Sequence, residues 1–195
     1  RLLRMDEADV FVEWIGPPLR LFVFGSGHDV VPLVSMAGML GWQVTVADVR
    51  AERVAMPDLP PTCQVVTLPM TAEIDGLDLG PADAAVLMTH NYPLDAELLP
   101  QLLARSPRYL GLLGPRTRAE KLFAETGAGP IPDAVHAPVG LALGGDQPET
   151  IALAIAAEIQ AVLHQQPAGF LRSRNRPIHE PPVELGDAAE ASAGP

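Results

Sequence analysis

The sequence predicts a doubly wound α/β domain, a parallel sheet with helices on both faces. Three observations carry this: short strands apolar at every position, amphipathic segments between them, and a glycine turn closing the first strand. Leu21-Phe22-Val23-Phe24 is such a run, and continuous apolarity suits a strand buried on both faces. It stops at Gly25-Ser26-Gly27. From His28 to Leu40 apolar residues recur at helical steps, with Gly41 as the stop. Pro32 fits only within the first turn, where a missing N–H costs little. Gln43 to Asp48 is the next strand, so a βαβ unit is complete within about 30 residues.

The alternation continues. Gln64 to Leu68 and Ala84 to Met88 read as strands, and Leu94 to Leu103 as a helix despite Pro100. Tyr109 to Leu113 is a strand and Arg116 to Glu125 a helix. Pro148 opens the longest amphipathic segment, Glu149 to Leu163. Residues 1–19 read as a lead-in ending at Gly16-Pro17-Pro18, 20–165 as the domain, and 166–195 as an extension whose last dozen residues are expected to be disordered.

Composition bounds the function. Of 195 residues 48% are hydrophobic, enough for one core, and 13 Lys+Arg against 24 Asp+Glu give a net charge of −11. Nucleic-acid affinity comes mainly from clustered basic residues, and the only lysine is Lys121, so nucleic acid is not an expected partner. The apolar run from Val30 to Trp42 falls short of the ~20 residues a membrane-spanning helix needs. With one cysteine and no leader pattern, a soluble, reducing compartment, the cytoplasm, is the expectation. Cys63 reads as a small buried hydrophobe rather than a nucleophile. The five histidines show no zinc spacing.

Candidate binding residues fall after strands. Gly25-Ser26-Gly27-His28-Asp29-Val30 is a G-x-G-x-x-V turn, short of the third glycine of the dinucleotide fingerprint. Gly25 serves the tight turn, Gly27 the approach of backbone to phosphate, and the helix end favours an anion. Asp29 complicates this, because a carboxylate beside the loop repels phosphate unless it points away. Asp48 follows about 20 residues on, where an acid commonly accepts hydrogen bonds from a ribose-like diol. Arg50 is placed to meet a second anionic group. Thr89, His90 and Asp95 follow the strand expected beside the first, so they face the glycine loop, with His90 a donor or general acid/base. The alternative is that Thr89 and Asp95 only bound the next helix. Gly114-Pro115-Arg116-Thr117-Arg118 puts two arginines in a first helical turn, which the dipole disfavours, pointing to an anion partner. His136-Ala137-Pro138-Val139-Gly140 is placed to line the crevice.

Together these segments resemble the XdhC/CoxI family of xanthine dehydrogenase accessory proteins. The resemblance rests on LFVFGSGHDVVPL (21–33), GWQVTVADVR (41–50), VLMTHNYPLDAELL (86–99), YLGLLGPRTRAEKL (109–122), HAPVGLALGGDQPETIALAIAAEIQAVL (136–163) and, more weakly, LRSRNRPIH (171–179). It implies a Rossmann-like domain that binds molybdenum cofactor (molybdopterin), a pterin with a dithiolene and a phosphate. Such a carrier is a maturation chaperone rather than an enzyme. It keeps the cofactor while a cysteine desulfurase provides its terminal sulfur, then passes it to a molybdenum hydroxylase such as xanthine dehydrogenase. By that analogy the phosphate sits at Gly25, Ser26, Gly27 and His28, flanked by Asp48 and Arg50. Thr89, His90, Asp95, Gly114, Arg116, Pro138 and Gly140 surround the pterin. Fuller members carry an N-terminal portion with a cysteine motif associated with the sulfur step. This chain shows none, so it reads as a fragment or a stand-alone C-terminal domain, and sulfur transfer is not expected of it directly. The other readings are an NAD(P)-dependent oxidoreductase using the same crevice, and a structural partner protein whose crevice is empty. A homodimer is left open.

Overall fold

In the computed structural model, Leu21 and Val23 of the first apolar run face one hydrophobic core while Phe22 and Phe24 face another. That division is why the run is apolar at every position: successive side chains of a strand point to opposite faces. The structure describes residues 2–5, 8–13, 15–50, 59–60, 62–173 and 175. The chain divides into two units, residues 18–168 and the two chain ends, 1–17 with 169–195.

The end unit contains an antiparallel pair, β1 (Leu2–Met5) and β2 (Ala8–Phe11), and a 3₁₀ turn at Leu171–Ser173. The reading of 1–19 as a plain lead-in missed this pair. The strands have four residues each, and Asp6-Glu7 between them lacks the glycine or asparagine that marks a tight hairpin. The expectation of disorder over the last dozen residues lies outside the described residues.

The larger unit holds β3 (Arg20–Phe24), α1 (Val30–Met39), β4 (Gln43–Asp48), β5 (Gln64–Thr67), β6 (Ala84–Leu87), α2 (Tyr92–Arg105), β7 (Tyr109–Leu112), α3 (Arg116–Glu125), β8 (Val135–His136) and α4 (Pro148–Leu163). Its six strands are all parallel in the order β5-β4-β3-β6-β7-β8. This is the doubly wound order, with the direction of winding reversing between β3 and β6. Helices α1 and α4 lie together over one face, burying Val30, Leu33, Val34 and Ala37 against Ala152, Ile155, Ala156 and Ile159. The other face is covered by α2 and α3, through Leu98, Leu99, Leu102, Leu122 and Phe123.

Three local details differ from expectation. Helix α1 begins at Val30, two residues later than the periodicity of His28–Leu40 indicates, so Pro32 is its third residue and sacrifices no interior bond. Strand β8 has only two residues, too few for a periodic signal. Between β5 and β6 the chain covers the sheet without a helix, inserting Leu68, Ala72, Ile74, Leu77 and Leu79 into the core. Gln101 of α2 holds that segment: its Nε2 donates to the Ala72 carbonyl (3.0 Å) and its Oε1 accepts from the Ile74 N–H (3.2 Å). Among the described residues no helix is long and apolar enough to cross a membrane.

Candidate functional site

All parallel strands present their C-terminal ends on one edge, and the candidate residues gather there. At the winding reversal the β3 and β6 loops meet. Gly25 has φ +126°, donates its N–H to the Ala47 carbonyl (2.9 Å), and passes so near β6 that a Cβ there would lie 2.5 Å from the Met88 carbonyl oxygen. Ser26 sits under the second strand's acid. Its Oγ donates to Asp48 Oδ2 at 2.7 Å. Arg50 folds back on the same carboxylate, with its N–H and Nε on Oδ1 (both 3.0 Å) and a terminal nitrogen on Oδ2 (2.8 Å). The four acceptor positions of a carboxylate are thereby filled. The second anion that Arg50 was expected to meet is Asp48 itself.

Burial alone would raise the Asp48 carboxyl, but the bonds from Arg50 and Ser26 outweigh it and hold the group below its ordinary range. Stability from such a group is present above the unfolded value of about 3.9 and is lost as pH falls through the lower folded value. Asp48→Asn is therefore expected to be less stable than the parent in urea unfolding at pH 7, with the difference shrinking below about pH 4. A difference unchanged down to pH 3 would show that the charge of Asp48 is not what stabilises the fold.

Gly27 carries the second contact between loops. Asp29, 8% exposed, turns its carboxylate back over the loop, so that a Cβ on Gly27 would collide with Asp29 Oδ1. Asp29 Oδ2 is 2.7 Å from His90 Nε2 across the reversal point. Among the described residues Oδ1 is buried without a hydrogen-bond partner, and the side chain caps no N–H of α1. His90 has φ +54°, a left-handed conformation that histidine, asparagine and aspartate adopt more readily than other non-glycine residues, and its side chain is 55% exposed. The His28 side chain is exposed.

A third cluster lies between β6 and β7. Thr89 Oγ1 donates to Asp95 Oδ1 (2.5 Å), and Arg118 bonds Asp95 Oδ2 while lying over the Tyr92 ring at 5.0 Å. Burial pushes the Asp95 carboxyl up against the lowering pull of Thr89 and Arg118. The N-cap of α2 is Asn91, whose Oδ1 accepts from the Leu94 N–H (3.3 Å), and Thr89 Oγ1 accepts from the Asn91 N–H (3.0 Å), so Thr89 and Asp95 are joined at the start of the helix. Gly114 (φ +115°) brings the chain close under Arg118, where a Cβ would lie 3.0 Å from its Cδ. Arg116 points elsewhere. It is 70% exposed and pairs with Glu120 at 2.9 Å, one helical turn on. Of the two first-turn arginines, Arg118 is the one built into the edge, and its anion is the protein's own Asp95.

The last loop is fixed from two sides. Ala137–Pro138 is a cis peptide, the Val139 N–H donates to the Leu112 carbonyl (3.0 Å), and the Gly140 N–H donates to Glu158 Oε2 (2.8 Å). Glu158 also accepts from the Tyr109 hydroxyl (2.5 Å) and pairs with His136 Nδ1 (3.3 Å), whose ring stacks on Tyr109. Burial would raise the Glu158 carboxyl, but His136, Tyr109 and the Gly140 amide outweigh it and lower it. Sequence spacing singles out neither Glu158 nor Tyr109, since they lie 49 residues apart and read as ordinary helix and strand positions. Cys63 packs at the margin of the α1–α4 core, and burial raises its thiol, which disfavours the nucleophilic thiolate.

A six-stranded parallel sheet wound in this order, with a glycine loop at the reversal and an acid closing the second strand, defines a Rossmann-type domain. Within that class the chain belongs to the XdhC family: the model of the XdhC Rossmann domain matches residues 21–159. The chain is similar to a Bacillus subtilis (strain 168) protein named as a probable xanthine dehydrogenase subunit, with 35% identity over 151 residues, 77% of this chain and 45% of that protein. It is 27% identical over 190 residues to the uncharacterized protein YqeB of Escherichia coli (strain K12), covering 95% of this chain and 35% of that one. A crystal structure described as a xanthine dehydrogenase from Bacillus halodurans superposes with a TM-score of 0.70 and 31% identity, over 76% of this chain and 45% of that one. The chain thus spans less than half the length of these relatives.

Proposed function

We propose that this chain is the cofactor-holding domain of an accessory protein for a molybdenum hydroxylase of the xanthine dehydrogenase type. The observation that carries the reading is the family match over residues 21–159, together with the names of the B. subtilis and B. halodurans relatives. In this reading the chain holds molybdenum cofactor while a cysteine desulfurase provides its terminal sulfur, then delivers it to the hydroxylase. When bound, the cofactor brings the metal and dithiolene chemistry, which the protein's own side chains do not supply.

The expected seat of the cofactor's phosphate, Gly25 to His28, does not fit that group, because the Asp29 carboxylate already lies over Gly27. An ionised carboxylate and a phosphate at one helix end repel each other. The cofactor is therefore assigned to the loop ends on the β6–β8 side, among Thr89, His90, Gly114, Pro138 and Gly140. The same geometry counts against the NAD(P)-dependent oxidoreductase, which needs both the glycine loop and Asp48.

Reconstitution of a cofactor-free hydroxylase tests the reading. Released molybdenum cofactor, cysteine and a cysteine desulfurase are added with the chain or with serum albumin. Faster recovery of hydroxylase activity with the chain is the expected result. Equal recovery in both arms would overturn the proposal.

A further inference from the structure

Two positions of a dinucleotide-binding βαβ unit meet the ligand directly. The glycine loop takes the diphosphate at the helix end, and the acid closing the second strand takes the ribose diol. Here protein atoms hold both. The Asp29 carboxylate supplies the negative charge that the α1 N-terminus favours. It is 8% exposed, and its Oδ1 lies on the side of Gly27 that the missing Cβ leaves open. That oxygen is buried without a partner among the described residues, so it is aimed into the loop rather than engaged in a cap. Its other oxygen is clamped at 2.7 Å by His90 from the opposite loop. Independently, Asp48 is saturated by Ser26 and Arg50, leaving no acceptor position for a diol.

From these observations we infer that Asp29 is a specificity-determining residue. Its carboxylate, clamped by His90, takes the place of the ligand's anion in the glycine loop and bars nucleoside diphosphates and nicotinamide dinucleotides from the crevice. The loop of this chain is then open only to ligands that meet it with a neutral or hydrogen-bond-donating group. The inference deepens the proposed function and rests on its reading of this edge as the ligand site.

Calorimetric titration of ADP and of NADH into the parent chain, Asp29→Asn, Asp29→Ser and His90→Gln, at one low ionic strength and neutral pH, tests it. The parent is expected to show no binding tighter than the millimolar range. Both Asp29 variants are expected to bind ADP at least roughly tenfold tighter, since removing a juxtaposed like charge relieves a cost of that order or more. His90→Gln, which leaves the carboxylate but loosens its clamp, is expected to gain less. Thermal melts show which variants fold, and if neither Asp29 variant folds, the parent and His90→Gln arms decide. A parent that binds ADP or NADH in the low micromolar range overturns the inference, as do folded variants with no gain. Released molybdenum cofactor is titrated in a parallel arm. A gain for ADP in the Asp29 variants, with no binding of that cofactor to any form, upholds the role of Asp29 and overturns the proposed function instead.

Discussion

Gly25→Ala is expected to lose about 3–5 kcal/mol of folding stability, the largest effect of any single methyl group at this edge. Two costs combine. The backbone there has φ +126°, which L-residues rarely adopt, and the new Cβ would meet backbone rather than a movable side chain. It would lie 2.5 Å from the Met88 carbonyl oxygen and 2.9 Å from the Thr89 Cα, so β3 and β6 must part at the point where the sheet reverses its winding. Urea unfolding measures the loss. Gly38→Ala is the control, because that glycine lies on the exposed side of α1 with nothing near its Cβ position. Replacing it is expected to stabilise by about 0.5–1 kcal/mol through helix propensity. A Gly25→Ala variant within about 1 kcal/mol of the parent would show that the two loops are not as close as described.

Arg118→Ala is expected to cost about 2–4 kcal/mol at pH 7, while Arg116→Ala stays within about 0.5 kcal/mol. The two arginines share a helical turn and differ in what they touch. Arg118 is 28% exposed and faces Asp95, which is buried. Without the guanidinium, that carboxylate keeps Thr89 as its one side-chain hydrogen-bond partner among the described residues, in a site that already raises its pKa. An acid whose folded value is raised opposes folding above its unfolded value of about 3.9, and the opposition is relieved as pH falls. The Arg118→Ala deficit is therefore expected to shrink between pH 7 and pH 4 as Asp95 takes up a proton. Arg116 and Glu120 are an exposed i, i+4 pair, a class worth little. Equal losses for the two variants, or a pH-independent Arg118 deficit, would contradict this assignment.

These two sites also show which features are legible in the amino-acid order. The βαβ unit is readable because Leu21–Phe24 is apolar on both sides and the glycine turn follows it at once. The strand-end positions of Asp48, Thr89 and His90 are readable for the same reason, since the strand order follows from the alternation of elements. What spacing does not carry is the partner of each charge. Asp29 and His90 are 61 residues apart, and Glu158 and Tyr109 are 49 apart, so only the folded sheet edge brings them together. Arg116 and Arg118 are equivalent as letters, and the rotation of α3 decides which one reaches Asp95. Short elements escape as well: β8 has two residues, and the β5–β6 connection fills the core without helical periodicity.

A consequence is that the acids of this edge already have partners within the protein. Asp29, Asp48 and Asp95 are each matched by His90, Arg50 and Arg118 before any ligand arrives. A glycine turn with a downstream acid fits a dinucleotide by spacing, yet the side chains around it are committed elsewhere. Fold similarity alone does not separate a dehydrogenase from a carrier on this scaffold, and these pairings are what the proposed reading rests on.

Native mass spectrometry of the chain tests the central claim most directly. The protein is incubated in separate samples with molybdenum cofactor released from a donor enzyme and with NADH, and each is sprayed from volatile buffer. A one-to-one adduct with the mass of the pterin cofactor is expected, and none with NADH. An NADH adduct with no pterin adduct would contradict the carrier reading.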